Sequence, residues 1–246
     1  MPPDIGECAS RQSSGVATPA SPSISVVVPA LNEAATIVEV LSSARQRGVK
    51  EIVVVDGGSS DATVARARTV ADRVLTAPRG RAAQMNAGAA ASSGDVLLFL
   101  HADTQLCAGS ADAVRRAIVG GAVAGRFDVR LDGEHGFLPV IAWLMNFRSR
   151  WTGIATGDQA MFVRRDVFVA LGGFAPLPLM EDVELSSRLR RTGRIAALRS
   201  RVVTSARRWE EHGVARTIVL MWALRLAYAC GVPADRLARW YRRSND

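Results

Sequence analysis

The chain has 246 residues, 48% of them hydrophobic and 22% charged, values of a folded globular protein that exclude a disordered or collagen-like one. Its 31 basic against 23 acidic residues leave a formal charge of +8, and all the basic residues but Lys50 are arginine. Cys8, Cys107 and Cys230 lie far apart without CxxC or His-paired spacing, so neither a disulfide framework nor a zinc site is indicated and a reducing cytoplasm is the expected location.

The first 22 residues, rich in Ser, Pro, Ala and Gly and lacking the apolar run of a signal peptide, read as a disordered leader. From Ser23 short β-branched runs alternate with amphipathic stretches, the pattern of parallel strands joined by crossover helices. Strands are predicted at Ile24–Pro29, Ile52–Val55, Val74–Thr76 and Val96–Leu100, with helices at Glu33–Arg47, Ser60–Ala71 and Ala82–Ala91. Asn32, Ser59 or Ser60, and Gly94 or Asp95 supply cap and turn chemistry at the joints.

Beyond Asp103 a helix is predicted at Ala108–Val119 and a strand at Ala124–Leu131, before a longer segment, Gly133–Thr156, holding Trp143, Met145, Phe147 and Trp151. Ala160–Val163 reads as a strand, Asp166–Leu171 as a helix broken by Gly172–Gly173, and Glu181–Arg191 as a helix with acids first and arginines last, complementing its dipole. Val214–Val232 is apolar but interrupted by Arg216 and Arg225, too short and too charged to span a membrane. Burial against the domain is the favoured reading, a membrane-surface helix the other.

Charge is unevenly placed. Residues 1–100 carry 9 basic and 9 acidic side chains, residues 188–246 carry 14 and 4. A nucleic-acid module built on that tail would use Trp209, Trp222 and Trp240 for stacking, but their apolar neighbours read as core and no RNA or DNA motif accompanies them.

Neither GxGxxG nor GxxxxGK[ST] is present, against a dehydrogenase and a P-loop NTPase. Polar residues instead follow three strands: Pro29-Ala30-Leu31-Asn32-Glu33, Asp56-Gly57-Gly58-Ser59-Ser60-Asp61 and His101-Ala102-Asp103. Singly each is explained as a helix cap or turn. Together they meet at the carboxyl edge of a parallel sheet, where one carboxylate can accept from a nucleobase and another hold a divalent cation against a diphosphate.

On VVVPALNEA, IVVVDGGSSDAT, RGRAAQMNAGAAASSGDVLLFLHADT, GDQAMFVRRDVF and GGFAPLPLMEDVELSSRLRR, about 170 residues in order, the chain resembles the family 2 glycosyltransferases. The resemblance implies the GT-A fold, an α/β domain over 23–213 whose mostly parallel central sheet is flanked by helices, followed by a basic amphipathic helical segment over 214–246 packed on the domain or a membrane surface. It implies that Pro29, Asn32, Glu33, Asp56, Arg79, Arg81, Asn86, His101, Ala102 and Asp103 line the nucleotide-sugar site. Asp103 matches the last aspartate of the metal-binding DxD, and Asp182 matches the general base with Glu181 as competitor. Gly157, Asp158, Gln159 and Trp209 shape the sugar or acceptor pocket, and His212 is a further metal contact or a plain surface histidine.

The implied activity is single, inverting transfer from an NDP-sugar to an acceptor hydroxyl or carboxyl with Mg²⁺ or Mn²⁺. The LHADT and GDQAMFVRR variants resemble a bacterial subgroup whose naming suggests lipophilic, carotenoid-like or lipid acceptors, and the basic tail suits an anionic membrane surface. His101 in place of the first DxD aspartate and Gly57 in place of a second strand-end aspartate are departures. They keep open a catalytically inactive nucleotide-sugar-binding protein, with a nucleotidyltransferase as the more distant alternative.

Overall fold

The computed structural model describes residues 21–244, so the leader expected over 1–22 falls almost wholly outside the described residues. The first hundred residues follow the predicted alternation: β1 (Ile24–Ala30), α1 (Ile37–Arg45), β2 (Glu51–Asp56), α2 (Thr63–Ala67), β3 (Arg73–Thr76), α3 (Arg81–Ala91) and β4 (Val96–Phe99). Every residue of β1, β2 and β4 is buried, as strands covered by helices on both faces require. α3 lies so close to the sheet that a Cβ on Gly88 would sit 2.4 Å from Val27 Cγ1.

Next come β5 (Thr104–Leu106), α4 (Ser110–Val119), β6 (Ala122–Asp132), α5 (Leu138–Thr152), a 3₁₀ turn at Gly157–Gln159, β7 (Phe162–Arg164), α6 (Arg165–Ala170) and α7 (Glu181–Leu189). β8 (Arg194–Ser205), α8 (Arg207–His212), α9 (Val214–Ala229) and α10 (Ala234–Arg243) complete the chain's described part. The eight strands form one sheet in the order β3-β2-β1-β4-β7-β6-β8-β5. β3, β2, β1 and β4 are mutually parallel, and β6 runs parallel to β8; β7 is antiparallel to both neighbours and β5 to β8. The direction of winding reverses between β1 and β4, and a crevice opens outside the carboxyl ends of strands at such a switch point.

β5 and β8 were not anticipated from the sequence. β8 carries Arg194, Arg199 and Arg201 and alternates buried with exposed positions, so it lacks the apolar run that marks β1 or β4. The predicted α1 and α2 are also shorter than expected, because the chain from Asn32 to Thr36 and from Ser60 to Ala62 is spent on turns. Asn32 is left-handed, with φ 55°, and its carboxamide accepts from the Ser60 amide at 2.9 Å instead of capping α1.

The expected burial of the 214–232 helix is corrected. Only Thr217 and Leu224 of α9 are buried, whereas Val219, Trp222 and Leu226 are exposed. Its apolar residues encircle the helix, so docking one stripe leaves the others in solvent. Leu224 joins Leu237 of α10 and Met180, just before α7, in a small apolar cluster that ties the C-terminal helices to the front of the domain. α10 is sharply two-faced: Ala234, Leu237 and Ala238 are buried, while Arg236, Arg239, Arg242 and Arg243 are exposed. Among the described residues no helix is long and apolar enough to cross a membrane.

Candidate active site

The loops after β1 and β2 are bonded to each other. Asn32 N–H donates to Ser59 Oγ at 2.9 Å, Glu33 N–H to Thr63 Oγ1 at 2.8 Å and Ala34 N–H to Asp61 Oδ2 at 3.1 Å. Asp56, 4% exposed, accepts from the Gly58 and Ser59 amides and from the Ser59 hydroxyl, so its carboxylate shapes its own turn. Beneath them Gln84 of α3 donates to Ala30 O at 2.9 Å and Val55 O at 2.8 Å, fastening the ends of β1 and β2. Nothing in a lone Gln inside RAAQMNAG announces that role; its pairing exists only once the strand ends are side by side. Glu33 also receives Arg207 Nη2 at 3.1 Å, which brings the start of α8 to the same edge.

The second half of the site gathers around the first turn of α7. Glu181 is 2% exposed and receives Arg81 Nε at 2.8 Å. Burial pushes its carboxyl pKa upward, the Arg81 guanidinium opposes that shift, and the Asp182 charge adds to it. Burial alone pulls the Arg81 guanidinium down, but Glu181, Asp182 and Asp158 more than reverse this, so its pKa is raised. Glu181 is therefore occupied as the counter-ion of Arg81.

Asp182 is held differently. Its Oδ2 accepts the Gly157 N–H at 2.8 Å and its Oδ1 the Val183 N–H at 2.7 Å, so backbone amides fix the carboxylate without neutralising it. His101 lies alongside, with Nδ1 3.4 Å from Asp158 Oδ1. A Cβ on Gly157 would sit 2.3 Å from His101 Nε2, so only glycine admits the ring at this spot. His101, Gly157, Asp158, Asp182, Glu181 and Arg81 are thus brought together.

Other expected site residues have structural employment. Asn86 bonds in both directions to the Phe174 backbone, at 2.9 Å each way. Ala102 is buried in the core beneath the strand end. Gln159 is wholly buried and closes a capping box with Thr156. Arg79 is exposed on the loop before α3 and Pro29 lies within β1. Trp209 packs against the cluster beneath α5. The His212 side chain lies outside the described residues, so its expected metal contact has no structural account.

A divalent cation was expected beside Asp103. Among the described residues no three His, Cys, Asp or Glu side chains converge as a protein-only metal site would need. His101 faces Asp158 and Gly157, leaving Asp103, whose Oδ1 accepts from the Thr104 hydroxyl at 3.2 Å, as the carboxylate of that strand end. One carboxylate fits Mg²⁺ or Mn²⁺ of the kind held mainly by substrate phosphates and water.

Two arginines within apolar helices, Arg148 in α5 and Arg225 in α9, approach this region. The sequence marked Arg225 only as an interruption of an apolar run and did not single out Arg148. Their proximity depends on α5 being laid against β6, where Asn146 exchanges two bonds with the Val129 backbone at 2.9 and 3.0 Å and Arg150 pairs with Asp128 at 2.5 Å.

Residues 25–174 match the family described as glycosyl transferase family 2. A probable glycosyltransferase of Bacillus subtilis (strain 168) is 28% identical over 241 residues, 85% of this chain and 55% of its own. A PGL/p-HBAD biosynthesis glycosyltransferase of Mycobacterium bovis (strain BCG / Pasteur 1173P2) is 33% identical over 174 residues, 63% of this chain and 64% of its own. The chain thus spans less than two thirds of either relative's length. Glucosyl-3-phosphoglycerate synthase of Mycobacterium tuberculosis, solved with Mn²⁺, uridine-diphosphate-glucose and phosphoglyceric acid, superposes with a TM-score of 0.59 at 26% identity, covering 87% of this chain and 82% of that one. The expected GT-A fold is the fold they share.

Proposed function

The chain belongs to glycosyl transferase family 2, and from that premise we propose that it moves a sugar from a nucleoside-diphosphate sugar to an acceptor hydroxyl or carboxyl with inversion, Asp182 acting as general base. The observation that carries this reading is the contrast between adjacent acids: Glu181 is paired with Arg81, while Asp182 is oriented by two backbone amides. A base needs a fixed lone pair within reach of the acceptor proton, and two amide bonds leave the carboxylate lone pairs to spare.

The donor occupies the crevice between β1 and β4, with its nucleoside toward the Asn32–Asp61 loop pair and its diphosphate toward Asp103 and the Glu33–Arg207 pair. The neighbour solved with Mn²⁺ and uridine-diphosphate-glucose supports the donor class and the cation. A cation at Asp103 would offset charge growing on the departing diphosphate. The Arg81–Glu181 pair and Gly157 hold Asp182 in place from either side. Exposed Trp143, Phe147 and Trp151 on α5 and Trp222 on α9, together with the exposed arginines of α10, support a second element of the reading. In it, this end of the domain over 23–213 and the helical segment over 214–246 rest on an anionic membrane surface.

The reading is tested by melting the protein with UDP-, GDP- and dTDP-sugars, each with and without Mn²⁺ or Mg²⁺. A donor at about 100 times its Kd should add about 2.7 kcal/mol, a rise of about 5–10 °C for a chain of this size. No stabilisation by any of them contradicts it. Salt-sensitive sedimentation with anionic vesicles, weakened in Trp143→Ala/Trp151→Ala, is the expected membrane result; sedimentation indifferent to both salt and substitution contradicts that part.

A further inference from the structure

α5 and α9 lie either side of a partly open cleft of about 50 Å³. Each helix contributes the same pattern to it. α5 presents Leu144, Met145 and then Arg148, and α9 presents Met221, Trp222 and then Arg225, so in both an apolar pair is followed at i+3/i+4 by an arginine on one face. Trp209 and Asp158 also border the space, which places its polar end at the candidate active site.

The two guanidiniums are an unusual pair to find together. Nε and Nη2 of Arg148 are buried and make no hydrogen bond, and among the described residues neither arginine forms an ion pair with a carboxylate. Burial, reinforced by the charge of Arg225, pulls the Arg148 pKa down to about 10, and burial lowers that of Arg225 against the pull of Asp182 and Asp158. Both remain cationic at neutral pH. Partly buried like charges without a paired carboxylate destabilise a fold, whereas buried Arg126 is matched by Asp128 and half-buried Arg81 by Glu181.

We propose that this cleft is the acceptor subsite, and that it takes a molecule bearing a carboxylate or phosphate group on an apolar or aromatic body. The anionic group sits between Arg148 and Arg225, and the body lies along Leu144, Met145, Met221 and Trp222. The reasoning is chemical. A planar guanidinium matches the oxygens of either anion in bidentate fashion, and two of them converging supply the donors left unsatisfied in the free protein. Walls of thioether, aliphatic and indole surface reject a bare inorganic ion but bury an apolar body. Asp158 lines the same cleft and neighbours Gly157, whose amide binds Asp182, so the cleft opens beside the proposed base. The inference rests on the transferase reading only in calling the ligand an acceptor; the binding chemistry stands on the cleft itself.

The test titrates the full chain calorimetrically with octyl phosphate, octanoate, 1-octanol and inorganic phosphate, each below its aggregation concentration, with a UDP-glucose titration in parallel. Octyl phosphate or octanoate should bind at least tenfold more tightly than both octanol and inorganic phosphate. Arg148→Gln/Arg225→Gln should erase that advantage while melting at or above the parent's temperature, because it removes unpaired like charges. Octanol binding as tightly as the octyl anions, inorganic phosphate matching octyl phosphate, no binding of either octyl anion, or octyl-anion affinity unchanged in the double variant would each overturn the proposal. Failure of UDP-glucose and other donors to bind would remove the transferase reading and leave the cleft result untouched.

Discussion

The crevice between β1 and β4 and the cleft between α5 and α9 adjoin the same acids yet are built on opposite principles. At the crevice the protein satisfies its own polar groups: Asp56 binds its turn, Asp61 ties the neighbouring loop, and Glu181 neutralises Arg81. At the cleft, among the described residues, Arg148 and Arg225 form no ion pair. The first arrangement presets a rigid frame, and backbone bonds do most of that work. The second stores unfavourable electrostatics that a ligand can relieve, and its cost is borne by the free protein. Substitutions in the two regions should therefore change stability in opposite directions.

Glu181→Ala should give the largest loss. It strands Arg81, whose side chain is 38% exposed, so the buried-pair penalty is discounted for solvent to about 2 kcal/mol, seen as a lower denaturation midpoint with unchanged m-value. A stability equal to the parent's would remove the claim that the frame is held by that pair. Gly157→Ala comes next, since its Cβ would have to displace His101 and with it the amide held to Asp182. Misplacing a catalytic group by about 1 Å costs on the order of 100-fold in turnover, so transfer should fall by about that factor while donor affinity stays within about twofold. Undiminished transfer would break the link between the turn and the acid.

Smaller and opposite in sign, Arg148→Met should stabilise the free protein by about 1 kcal/mol, removing a buried unpaired charge, and raise Tm by about 2–4 °C. A loss of stability would show that Arg148 has a structural partner and dissolve the contrast. The smallest effect belongs to Glu51, outside both sites. Burial raises its pKa, but hydrogen bonds from Ser25 and Ser93 more than offset this and hold it below the ordinary 4.5. A depressed folded pKa contributes stability that is present above the unfolded value and is lost as pH falls through the folded one. Glu51→Gln should therefore lower the midpoint at pH 7 by about 1 kcal/mol and flatten the loss of stability below pH 4.5. Identical acid limbs in parent and variant would refute the assignment.

How much of this was legible in the sequence follows from how local each signal is. The β1, β2 and β4 strands announce themselves as uninterrupted apolar runs, and their polar caps at Asn32, Asp56 and Asp103 fall where strand ends must face solvent. β8 was missed because its arginines alternate with small residues, and its strand identity comes from nine residues of pairing with β6, a partner more than 60 positions away. The bonds of Asn86 and Gln159 were not legible for a related reason: a carboxamide in a motif shows its tertiary partners, Phe174 and Thr156, only once they are in place. The Arg148–Arg225 pair is the extreme case. Arg225 reads as an interruption of an apolar run and Arg148 carries no signal of its own, and only the packing of α5 beside α9 brings the two to one cleft.

The most direct measurement of the central claim compares donor binding and sugar transfer in the parent and in Asp182→Asn, using a donor identified by thermal stabilisation and an acceptor carrying a hydroxyl nucleophile. Asparagine preserves the shape and can still accept one backbone amide, but it cannot take the acceptor proton. The account predicts donor affinity within about twofold of the parent and transfer reduced by about 100- to 10,000-fold, the span of general-base contributions. Transfer at the parent's rate with the same donor affinity would contradict it and remove Asp182 as the base.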